Sequence, residues 1–167
     1  MTSVASAVSA GYAMRIHLLC VSKRPRDWVA QATNEYLKRL KGQLDVVIKD
    51  TAPAVKQRSK TTKLAREADG LRRVCPPRAL TIALDEHGDL WSTLEVAQNL
   101  DHWRARYADV VCFIGGADGL APDIIAQADR RWSLSRLTLP HQLARVVLIE
   151  QLYRAWSVLH NHPYHRG

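Results

Sequence analysis

The chain has 167 residues, with 24 Lys+Arg against 16 Asp+Glu and a formal net charge of +8; its pI is near 9.8. Hydrophobic residues at 47% supply enough apolar material for one packed core, which excludes a mainly disordered chain. No stretch approaches the roughly 20 uninterrupted apolar residues of a membrane span, and the positive balance points to an anionic partner, nucleic acid foremost.

Residues 1–13 are small and weakly polar. They lack a basic leading region, and Ser3, Ser6 and Ser9 interrupt their apolar run. A secretory signal is therefore not expected, and a cytoplasmic location is. They read as a mobile N-terminal extension, with residues 14–167 as a single domain. Residues 16–21 read as a buried strand ended by Lys23-Arg24-Pro25-Arg26. Trp28, Ala32, Tyr36 and Leu40 recur every four residues, which predicts a helix over 28–41 capped by Asp27. A second strand follows at 46–48, then a long basic helix or helix-plus-loop over 56–74. A third strand at 80–84 is expected to close in a turn at Glu86-His87-Gly88-Asp89. Ser92-Thr93-Leu94-Glu95 is a capping box that opens the next helix. Residues 110–114 form a fourth strand running into the glycine turn 115–119. A short helix after Pro122, a fifth strand at 132–134 and a final helix over 141–160 complete the order. Strands that alternate with helices and lack period-two polarity predict an α/β layered fold with a mostly parallel sheet.

The final helix is apolar nearly all round, from Leu143, Val146 and Val147 through Ile149 to Trp156 and Leu159. A helix packed on one sheet shows only a stripe, so burial between its own sheet and a second subunit is favoured over enclosure within one chain. Cys20, Cys75 and Cys112 are scattered singly. That fits buried, inert thiols in a reducing compartment, not a disulfide framework or a zinc site. His160, His162 and His165 crowd the tail without a carboxylate or thiolate nearby, so no metal is expected.

Four segments could carry chemistry. The glycine turn follows a strand, where open α/β sheets bind ligands. However, Ile114 stands where a dinucleotide fingerprint needs its first glycine, and no Gly-Lys-Ser/Thr follows. A structural turn and a ligand loop fit this signal equally. Residues 132–141 contain no acid and end at Pro140-His141, as either a connector or a loop that wraps a flat apolar ligand through main-chain groups. The tail 161–167 holds Tyr164, His165 and Arg166, groups that stack on a base and pair with phosphate; a frayed terminus is the alternative. Between Pro53 and Val74, Lys56, Arg58, Lys60, Lys63, Arg66, Arg72 and Arg73 face only Glu67 and Asp69. With Lys56, Lys60 and Lys63 expected on one helical face, this is either a solvated surface or a phosphate contact.

One family unites these segments. The strings Phe113-Ile114-Gly115-Gly116-Ala117-Asp118-Gly119-Leu120-Ala121-Pro122, Trp132-Ser133-Leu134-Ser135 and Leu137-Thr138-Leu139-Pro140-His141 come first. Arg145-Val146, Leu152-Tyr153-Arg154-Ala155-Trp156 and Asn161-His162-Pro163-Tyr164-His165-Arg166 follow. In this order and spacing they closely resemble the ribosomal RNA large-subunit methyltransferase H family, a minimal branch of the SPOUT superfamily, and the resemblance covers residues 14–167. It implies S-adenosylmethionine-dependent methylation of N3 of a pseudouridine in the helix 69 loop of 23S rRNA, on the assembled ribosome and without a metal. It also implies a homodimer and a SPOUT-type fold with a C-terminal trefoil knot. By the same likeness Leu84, Gly115, Leu134, Ser135, Arg136, Leu137, Thr138 and Leu139 bind the methyl donor. Arg145, Tyr164, His165 and Arg166 fall at the target base or RNA as the catalytic group. His165 or solvent is left to take the N3 proton, with Arg145 or Arg166 steadying the anion.

Two features depart from the family pattern. Residues 1–13 have no counterpart, and Ala117-Asp118 stands where Pro-Glu is more common. Two other functions stay open. A non-catalytic RNA-binding ribosome assembly factor leaves the donor-loop strings unexplained. A SPOUT methyltransferase acting on tRNA often carries an added RNA-binding domain, for which this chain has no room.

Overall fold

A computed structural model describes residues 13–166, so the expected extension lies, apart from Ala13, outside the described residues. Strands and helices alternate as β1 (Arg15–Val21), α1 (Asp27–Leu40), β2 (Asp45–Thr51), α2 (Lys60–Val74), β3 (Leu80–Leu90) and α3 (Thr93–Arg104). β4 (Asp109–Ile114), α4 (Pro122–Gln127), β5 (Arg130–Ser133), α5 (His141–Leu159) and a 3-10 turn at Pro163–Arg166 follow. The sheet order is β2-β1-β4-β3-β5, and every neighbouring pair is parallel.

Successive strand side chains point to opposite faces, and both faces here are covered. From β1, Ile16, Leu18 and Cys20 pack with Leu40 of α1, Leu100 of α3 and Leu148 and Leu152 of α5. Leu19 and Val21 point the other way, to Leu64 and Leu71 of α2 and Ile124 of α4. A strand sandwiched in this way favours apolar residues on both faces, which is why β1 shows no alternation from Leu18 to Val21; buried His17 is the polar exception, its Nε2 2.7 Å from Asp109 Oδ1. The three layers of the α/β reading are present.

The structure corrects several boundaries. Asp27 is not the cap of α1 but its first residue, and Arg26 occupies the cap position without a side-chain cap bond. The Arg26 backbone N–H instead donates to Gln142 Oε1 at 3.0 Å. α2 begins at Lys60, with the Ser59 hydroxyl accepting from the Thr62 N–H. Lys56 lies outside the helix with φ of 64°, so it does not share a helical face with Lys60 and Lys63. The Glu86–Asp89 stretch is not a terminal turn, because β3 runs on to Leu90 through a register shift in which Leu84 and Asp89 both face Trp132. Gly88 sits in that irregularity, where a Cβ would fall 2.7 Å from the Arg131 and Trp132 backbone. β5 starts two residues earlier than expected. The capping box holds as read, with Ser92 N–H donating to Glu95 Oε2 at 2.6 Å and Glu95 N–H to Ser92 Oγ at 3.2 Å.

α5 lies between α1 and α3, and none of its residues is exposed. Much of its apolar wrap is therefore used within one chain: Leu148, Ile149 and Leu152 are completely buried. Leu143, Val146 and Val147 are half-buried and belong to neither core cluster. At spacings of three and four they form one stripe on the helix. Cys20 and Cys112 are buried, and burial pushes both thiols up to about 12. Cys75 is partly exposed at the end of α2 and is also raised, chiefly by burial.

Candidate active site

The site grows from the carboxyl ends of the central strands, where an open parallel sheet leaves a crevice. β4 runs out at Ile114 into the glycine turn, which closes on itself through a Gly116–Gly119 bridge and a Gly119 N–H to Gly116 O bond of 3.1 Å. A Cβ on Gly115 would stand 2.3 Å from the Gly119 carbonyl carbon. Glycine is thus demanded by the turn folding over itself, not by the approach of a ligand. Lys63 Nζ reaches Asp118 Oδ2 at 2.5 Å, and Arg72 pairs with Asp123 of α4. These pairs fasten the turn to α2, and the hydrogen bond from Lys63 holds the Asp118 carboxyl below its ordinary range.

The opposite wall is the segment after β5. Ser133 Oγ donates to the Ser135 carbonyl at 2.8 Å, and the Leu137 N–H donates to Ser135 Oγ at 2.9 Å. The extra length of β3 holds it in place: Asp85 pairs with Arg131, and Glu86 accepts from Thr138 Oγ1 at 3.1 Å. Between the two walls lies a cleft of about 690 Å³. Leu84, Gly115, Leu134, Ser135, Leu137, Thr138 and Leu139 all line it, so residues scattered over more than fifty positions meet in one place. Arg136 is the one expected donor residue outside the lining; it is exposed.

The other predicted residues are arranged differently. Arg145 is buried and makes two hydrogen bonds to the Asp50 carboxylate, the longer one 3.4 Å. Tyr164 is not frayed but folded back on α5 and α1. Its hydroxyl lies 3.2 Å from both Tyr36 Oη and Glu150 Oε1. Its ring meets Tyr153 edge-on at 4.6 Å, with the Arg154 guanidinium 4.8 Å above it. His165 has its Nδ1 buried without a partner, and Arg166 is exposed. Tyr164, His165 and Arg166 do not reach the cleft of their own chain: Tyr153 and Ala144 are about 14 Å apart along the axis of α5.

The cleft also gathers residues that the sequence did not assign to it. His141, the first residue of α5, lines it together with Lys60, Asp85 and Glu86. Burial, and then the positive charge of Arg145, hold His141 below the ordinary histidine value. A histidine directly after a loop-ending proline, and a carboxylate at the end of a strand such as Asp50, were the available signals. A larger hollow of about 1190 Å³ opens at the other edge of the sheet, beside Ala13, Lys38, Asp45 and Arg104. It contains none of the predicted site residues and lies at the amino ends of the strands. Among the described residues no group of three His, Cys, Asp or Glu side chains is placed to hold a metal, and no helix is long and apolar enough to cross a membrane.

Helices on both faces of a five-stranded parallel sheet, with a cleft at its carboxyl edge, mark an α/β protein. The family model described as "Predicted SPOUT methyltransferase" matches residues 14–165. A ribosomal RNA large subunit methyltransferase H of Chromohalobacter salexigens is 44% identical over 92% of this chain and 100% of its own length. One from Paraburkholderia phymatum is 42% identical, over 92% and 99%. The chain belongs to the SPOUT methyltransferases, in the family of these large-subunit enzymes. A probable methylase family protein from Haemophilus influenzae shares the fold, with a TM-score of 0.51 at 14% identity over 91% of this chain and 70% of that one.

Proposed function

We propose that the protein transfers a methyl group from S-adenosylmethionine to large-subunit ribosomal RNA, at N3 of a pseudouridine in the helix 69 loop of 23S rRNA on the assembled ribosome. The observation that carries this reading is the meeting of Leu84, the glycine turn and residues 134–139 on one cleft. Its volume lies in the range of small-molecule sites. Leu84, Leu134 and Leu139 offer apolar surface to a flat heterocycle, and Asp85, Glu86 and Asp118 set negative charge near a cationic donor. When bound, the donor supplies an activated methyl group, and the protein's share is to hold nitrogen and carbon in line.

The RNA side is assigned to two regions. On and beside α2, Lys56, Arg58, Lys60, Arg66 and Arg73 are exposed, and their charge suits a phosphate backbone. Arg145, Tyr164, His165 and Arg166 are assigned to the target nucleotide. Because one chain keeps its tail away from its own cleft, a homodimer that brings the partner's tail to it completes the site. The stripe of Leu143, Val146 and Val147, with Trp28 48% exposed close to the Arg26–Gln142 bond, is the surface assigned to that contact. The reading includes the trefoil knot that the family resemblance implies. It also includes a cytoplasmic site of action, and residues 1–13 stand outside the catalytic domain.

The test is methylation of ribosomes from a strain lacking the gene, with labelled donor, followed by mass mapping of 23S rRNA. One methyl group on the helix 69 pseudouridine is expected. Label on transfer RNA would overturn the target. A protein giving no heat with S-adenosylmethionine would instead be an assembly factor.

A further inference from the structure

We infer that His141 is the general base of the reaction, taking the N3 proton of the target base as that nitrogen attacks the methyl carbon. The inference rests on the function proposed above. An imide nitrogen that keeps its proton has no electron pair free for attack. In the balanced step the imidazole of His141 accepts the proton, and the pair left on nitrogen forms the N–C bond. The C–S bond breaks with its pair going to sulfur, so the sulfonium becomes a neutral thioether and the positive charge ends on His141.

The titratable groups on the cleft are Lys60, Asp85, Glu86, Asp118 and His141. The Lys60 side chain is a donor and offers no acceptor. Asp85 is paired with Arg131, Asp118 with Lys63, and Glu86 accepts from Thr138. Histidine is the side chain whose ordinary pKa lies nearest neutrality, and an efficient base titrates close to the working pH. The His141 ring makes no hydrogen bond among the described residues, is half-buried, and directly follows the 134–139 loop.

The neighbours of His141 keep it neutral. Arg145 stands one turn further along α5, with Asp50 of β2 and Cys20 of β1 behind it; Asp118 faces from the glycine turn, Asp85 and Glu86 from β3, and Lys60 from α2. Burial and Arg145 lower its proton affinity, and its place at the start of a helix opposes an imidazolium as well. The neutral, proton-accepting form therefore prevails at neutral pH. The rate should climb as pH rises through the depressed value and stay flat above it. Arg145, buried against Asp50, is left to hold His141 in its neutral form, and the tail, with His165, to hold the target nucleotide.

The experiment is single-turnover transfer to unmodified ribosomes at saturating donor, from about pH 5 to 8, by the full-length wild type, His141→Ala and His141→Gln. Both variants should be slower by roughly 10²–10³-fold, bind donor within about threefold of wild type by calorimetry, and lose the acid limb. Added imidazole should restore part of the His141→Ala rate, and the His141 ring resonance in wild type should shift when donor is added. Variants within threefold of wild type, an acid limb that survives in His141→Gln, or a ring resonance that ignores donor would each overturn His141 as the base. A wild type that binds donor but leaves ribosomes unmodified would overturn the substrate reading, and with it the proton assigned to His141.

Discussion

The two ends of α5 are built on opposite principles. At its start the cleft is shaped by backbone: a glycine turn folded over itself, and a loop pinned by serine-to-main-chain bonds. At its end the tail is shaped by side chains, with the rings of Tyr153, Trp156, His162 and Tyr164 packed together and Glu150 and Tyr36 holding a hydroxyl. The donor end should therefore tolerate changed side chains but not changed backbone, and the tail the reverse.

The hardest blow to that contrast is Gly115→Val. It forces side-chain atoms into the Gly119 backbone, so donor heat in calorimetry should vanish and stability should fall by about 1–3 kcal/mol. Retained donor binding would mean that the turn is not the scaffold of the cleft. Removing residues 164–167 tests the other end. Methylation should drop roughly tenfold to hundredfold while donor binding is mostly kept. Unlike a frayed end, this tail should cost roughly 0.5–1.5 kcal/mol of stability through its ring contacts, readable in a melt.

Val147→Asp on the outer stripe should shift sedimentation from dimer toward monomer while the fold survives. Ile149→Asp, completely buried, should instead unfold the chain; a stable wild-type monomer at micromolar concentration would remove the dimer. The smallest effect belongs to Asp118→Asn. Lys63 lowers the Asp118 pKa, so the fastening is complete above the ordinary carboxylate value and is lost as pH falls through the depressed one. Donor affinity should be flat from neutrality to about pH 4 and weaken below it. The variant should lack that step and differ by less than about threefold at neutral pH.

Local rules made the order of elements legible. Ser92 and Glu95 announce a helix start unaided, and alternating apolar runs announce a parallel sheet. The turn expected at Glu86 to Asp89 failed because its polar, glycine-bearing string mimics a loop, and only pairing with Trp132, more than forty residues later, makes it strand. In the final helix, hydrophobicity does not distinguish Ile149, spent inside the chain, from Val147, left half-covered. In the site, the residues that line the cleft were legible as motifs. The bond of Arg145 to Asp50 joins two distant segments, and no spacing rule marks it.

The strand order has a consequence for synthesis. β1 lies in the sheet between β2 and β4, and its β4 partner, which pairs Arg15 with Asp109, leaves the ribosome only after most of a hundred further residues, several seconds later at roughly 5–20 residues per second. Until then the nascent chain holds an apolar strand with one edge open. Such an edge is the feature that invites pairing with other chains. A chain interrupted before Asp109 keeps that edge unpaired.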